Sequence, residues 1–61
     1  MAFQEAVDDA RKAWQRALSE LASAQLAHRD HPSPTTQAAL GEAKAHEEAA
    51  RLRFQRVRGL L

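Results

Sequence analysis

The run His31-Pro32-Ser33-Pro34-Thr35-Thr36 constrains this chain more than any other feature, because it collects both prolines of the sequence into one short stretch. A proline inside a helix removes a backbone hydrogen bond and clashes with the preceding turn, at about 3 kcal/mol or more for each. One continuous helix would have to absorb two of them. On either side lie alanine-rich segments without proline, in which Gly41 is the sole interior glycine. The expectation is therefore one all-α domain spanning 1–61, an antiparallel two-helix hairpin: helix one over about 2–30, a loop over 31–35 and helix two over about 34–59. Pro32 pushes His31 out of the helical region, while Ser33 reads as an N-cap followed by Pro34 at the first helical position. Gly59 is expected to cap the second helix at its C-terminus.

Alternate steps of four and three along helix one pick out Phe3, Val7, Ala10, Trp14, Ala17, Leu21, Ala24 and His28, a heptad seam whose last member is polar. Helix two supplies Leu40, Ala43, Glu47, Ala50, Phe54, Val57 and Leu61. Folding at the loop sets Phe3 against Leu61, Val7 against Val57, Ala10 against Phe54, Trp14 against Ala50, Leu21 against Ala43 and Ala24 against Leu40. Most of these layers oppose a large side chain to a methyl, which keeps layer volume even and lets the backbones approach, as in an alanine-rich coiled coil.

A chain of 61 residues hides only about 60% of its unfolded surface on folding and is marginal alone. With no cysteine, neither a disulfide nor a thiolate metal site is available to staple it. Self-association is the remaining route, and a homodimer forming a four-helix bundle is the expected assembly. The net charge of +1 argues for neither a nucleic-acid-coating tail nor an acidic disordered segment. No apolar run reaches the roughly 18 residues a membrane span needs, and the N-terminus lacks a secretory pattern, so no membrane contact and a cytoplasmic address are expected. Seven arginines beside two lysines, with abundant alanine, suggest a GC-rich bacterial or phage genome.

The flanks of the seam differ. One edge holds Ala6, Ala13, Glu20 and Ala27 with Ala39, His46, Arg53 and Leu60. It is smooth enough for a second hairpin to dock closely, with Glu20 meeting His46 or Arg53, and is the candidate dimer interface. High helix propensity alone also explains alanines there. The other edge holds Gln4, Arg11, Leu18 and Gln25 with Lys44, Arg51 and Arg58. Lys44, Arg51 and Arg58 recur every seven residues, about 10 Å per step, and with Arg11 form a basic stripe suited to nucleic-acid backbone or an acidic protein. Glu47, one turn before Arg51, nearby Glu48 and the offset of the helix dipole by last-turn arginines favour instead a solvated, internally paired face.

Glu47 falls on the seam opposite Ala17, where a dry carboxylate is costly; its stem is expected to cover Ala17 while the charge reaches Lys44 or Arg51 and holds register. His28, Asp30 and His31 have the composition of a metal site, but His46 lies about 15 Å further along and cannot complete it, and histidines at a helix end also offset the dipole. Trp14 is read as core rather than as a base-stacking ring. No nucleophile sits beside a base in an apolar pocket, so neither enzymatic activity nor a cofactor is expected.

These features point to a small non-enzymatic protein-protein interaction or regulatory module acting as a homodimer, with an unidentified protein partner. The alternative is a dimeric RNA-backbone binder using the basic edge. In size and hairpin shape the chain resembles small RNA-binding hairpin proteins that regulate plasmid copy number, without a shared motif, and architecture does not carry function. An assembly piece of a phage or larger complex is a third reading.

Overall fold

The structure, a computed structural model, describes residues 2–59. It consists of two helices, α1 (Ala2–Asp30) and α2 (Pro34–Gly59), packed against each other along their length. The hairpin measures 45 × 13 × 11 Å, and its radius of gyration of 14.0 Å exceeds the roughly 10.5 Å of a near-spherical chain of this length. The molecule is a rod one helix pair thick.

The loop is short because both helix ends are satisfied locally. The His31 N–H still donates to the Ala27 carbonyl at 2.9 Å, closing the last turn of α1 before Pro32 ends it. Ser33 caps α2: the Thr36 N–H donates to Ser33 Oγ at 3.0 Å, and the Ser33 N–H donates back to Thr36 Oγ1 at 2.9 Å. This is a capping box in which threonine takes the place usually held by Glu or Gln. The same Thr36 Oγ1 lies 2.8 Å from His28 Nδ1, so the capping group also ties α2 back to the end of α1. Gly59 departs from expectation. No described glycine has a positive φ, and α2 runs through Gly59 as ordinary helix, so it is not a left-handed cap.

Ala10, Ala17 and Ala43 are the buried apolar residues among those described, at 0%, 6% and 4% exposure. All three are seam alanines, whose methyls fit between the backbones. The larger seam residues Val7, Trp14, Leu21, Leu40, Phe54 and Val57 are half-buried. A single partner helix covers one line of contact, so side chains longer than a methyl project past it and keep a solvent-facing side.

Trp14 departs from simple layer pairing. Its ring stacks on Phe54, with centroids 5.5 Å apart and planes 27° from parallel. Its indole N–H donates to Glu47 Oε2 at 2.8 Å. The expected partner Ala50 lies between these two positions, and the indole spans the seven-residue step that a small residue leaves open. Of the expected Phe3 to Leu61 layer, Leu61 lies outside the described residues and Phe3 is 36% exposed.

Candidate functional site: the two edges of the hairpin

The basic edge carries Arg11, Lys44, Arg51 and Arg58, but these are not four equivalent free charges. Arg11 Nη2 donates to Asp8 Oδ1 at 3.0 Å, an i,i+3 pair with both side chains about half exposed. Arg51 is half-buried and its guanidinium stands 3.7 Å from Glu47 Oε1. Lys44 and Arg58 are exposed and make no ion pair among the described residues. Leu18, on the same edge, is 42% exposed.

Glu47 is where this edge meets the core. Its side chain is 13% exposed, one carboxylate oxygen accepting from Trp14 and the other facing Arg51. The expected reach to Arg51 is present. The indole hydrogen bond is an addition that heptad reading passed over, although Trp14 and Glu47 stand within one turn of the same level and tryptophan's N–H seeks an acceptor when covered. With both oxygens engaged, the carboxylate is held at the seam without a polar atom left unpaired.

On the opposite edge Ala6 and Ala13 are half-buried, whereas Glu20, Ala27, Ala39, His46 and Arg53 are exposed. Leu60 lies outside the described residues. Glu20 Oε2 stands 3.7 Å from His46 Nδ1 within the same chain. The contact anticipated for a docked pair is thus already made across the hairpin itself. Arg53 has no acidic partner among the described residues, nor do Arg16, Glu42 and Arg56 on the flank beside it.

Apolar side chains are also left outside: Leu26 and Leu52 are 50% and 49% exposed on the outward faces of α1 and α2. Of the histidine and aspartate group at the end of α1, His28 faces the Thr36 hydroxyl and Asp30 stands 3.8 Å from Arg29 Nε. Among the described residues no three His, Asp or Glu side chains gather as a metal-ligand set. No helix is long and apolar enough to cross a membrane.

No family model, curated protein or solved structure matches the chain.

Proposed function

We propose that this chain is a non-enzymatic helical interaction module that acts as a homodimer and offers its outer helix faces to a protein partner in a regulatory role. The observation carrying this reading is surface area. The hairpin exposes 4704 Å², against about 4,000 Å² for a compact chain of 6.8 kDa, so it hides only about half of its unfolded surface. A fold whose buried apolar residues, among those described, are three alanines gains most by adding a second layer.

A second reading takes the basic edge as a nucleic-acid backbone contact, favoured by the exposure of Lys44 and Arg58 along one line. The in-chain pairing of Arg11 and Arg51 weighs against it, since each guanidinium already has a carboxylate beside it. Sedimentation equilibrium at low and moderate salt, with and without total RNA, separates the two. A dimer indifferent to RNA supports the interaction module. A dimer that takes up RNA at low salt, releases it as salt rises, and loses it on Arg51→Glu with Arg58→Glu replaces that reading with the second. A monomer at tens of micromolar removes the dimer from both.

A further inference from the structure

The charges along the hairpin are unevenly distributed. Residues 2–15 and 49–59, which form the half carrying the termini, hold six Lys or Arg against three Asp or Glu, a net of +3. Residues 16–48, the half carrying the loop, hold three against five, a net of −2. On the flank of the alanine edge α2 shows the same polarity, with Arg53 and Arg56 toward the termini and Glu42 toward the loop, whereas α1 places Asp9 toward the termini and both Arg16 and Glu20 near its middle. Arg16, Glu42, Arg53 and Arg56 are without an ion-pair partner among the described residues.

We infer that the partner of this edge is a second copy of the chain turned end for end, its loop lying over the termini of the first. The inference rests on the dimeric reading above and specifies its geometry. A two-fold axis normal to the long axis of the rod runs α1 antiparallel over α1 and α2 antiparallel over α2. It brings Arg16 to Glu20 of the second copy and Arg53 to Glu42 of the second copy, each pair occurring twice.

One axis satisfies both pairs. On α1 the midpoint of Arg16 and Glu20 is Leu18; on α2 the midpoint of Glu42 and Arg53 falls between Glu47 and Glu48. Trp14 lies between Glu47 and Phe54, and Glu20 reaches His46, so Leu18 stands level with about residues 46–48 of α2. The two midpoints therefore coincide to within about 3 Å along the rod. This level is also close to the middle of both helices, so the two 45 Å rods overlap over nearly their full length. The opposite arrangement, with both loops at one end, sets the positive halves together and brings Glu20 beside Glu42 of the second copy.

Area agrees with this occupant. The surface in excess of a compact chain is about 700 Å², close to the roughly 800 Å² that each partner contributes to a standard interface. The methyls of Ala13 and Ala39 allow the approach; the charges choose its direction.

The chain has no cysteine, so a single Thr35→Cys at the exposed first turn of α2, beside the loop, can be spin-labelled without a background site. In the end-for-end dimer the two labels stand about 40 Å apart, near the rod length of 45 Å. With loops together they stand within about 20 Å, set by the helix spacing and the label tethers. Alongside, Glu42→Arg and Arg53→Glu are each expected to weaken dimerisation roughly tenfold, and the double variant to recover it, because the exchanged charges face each other again. A dimer with labels within about 20 Å, or one whose double variant shows no recovery, overturns the end-for-end inference and leaves the dimeric reading in place. A monomeric chain under sedimentation overturns both.

Discussion

The two edges of the hairpin carry similar numbers of charged groups and use them in opposite ways. On the basic edge, Arg11 rests on Asp8 and Arg51 on Glu47, so half of the stripe is tied within the chain. On the flank of the alanine edge, Arg16, Glu42, Arg53 and Arg56 have no ion-pair partner among the described residues, although Glu20 finds His46. The difference follows from what stands beside each edge. Bulky Trp14 and Phe54 border the basic side and create a covered site where Glu47 is held and draws in Arg51. Methyls border the other side, where nothing rises to meet a charge, and the groups remain available to another molecule. A linear count of basic residues would have ranked the edges the other way.

The largest expected effect separates the edges directly. Ala13→Arg places a long cation where close approach is needed and is expected to abolish dimerisation at micromolar concentration and to lower helicity sharply. Leu18→Arg, the same change in bulk on the basic edge, is expected to leave mass and melting nearly unchanged. Circular dichroism with sedimentation checks both, and equal behaviour of the two variants would erase the distinction between edges.

A smaller loss is expected at the junction of the basic edge with the core. Trp14→Phe keeps an aromatic ring beside Phe54 but removes the donor to Glu47, leaving one carboxylate oxygen of a largely covered group unpaired. Denaturant unfolding is expected to give a loss of about 1–2 kcal/mol. No loss would mean that Glu47 is held by Arg51 alone.

Gly41→Ala tests whether α2 carries an avoidable weakness. A methyl at Gly41 meets no atom within 4 Å, so the expected result is a gain of about 0.5–1 kcal/mol, seen as a higher unfolding midpoint. A loss instead would indicate that in the assembled form something packs against that helix face. The smallest effect is assigned to Asp8→Asn, which releases Arg11. With both groups about half exposed, only a few tenths of a kcal/mol are expected in stability. Its use is in freeing the stripe: RNA retention that rises in this variant would show that pairing with Asp8 had been masking a binding surface.

The hairpin was legible in the sequence because its signals are local and mutually consistent. Two prolines within three residues cannot sit in a helix, Ser33 and Pro34 begin one, and the three-four spacing of apolar residues extends on both sides. The reach of Glu47 to Arg51 was legible too, being one turn of the same helix. Gly59 was misread because a glycine near a helix end suggests a left-handed turn, whereas its backbone continues in the right-handed region. The Glu20 and His46 contact was foreseen as a pair but not as one made within a single chain. Heptad layers assign partners by level and do not tell which long side chains can bend across the hairpin itself.

By itself the sequence determined that two helices form, where the turn between them lies, and which stripe of each faces the other, since these depend on backbone sterics and on a period of 3.6 residues. Only the tertiary structure decided that the indole of Trp14 passes over Ala50 to reach both Phe54 and Glu47, that Thr36 serves the α2 cap and His28 together, and which charges are already matched. Those outcomes depend on the relative height of the two helices and on side-chain rotation, which a periodic pattern leaves free over a turn.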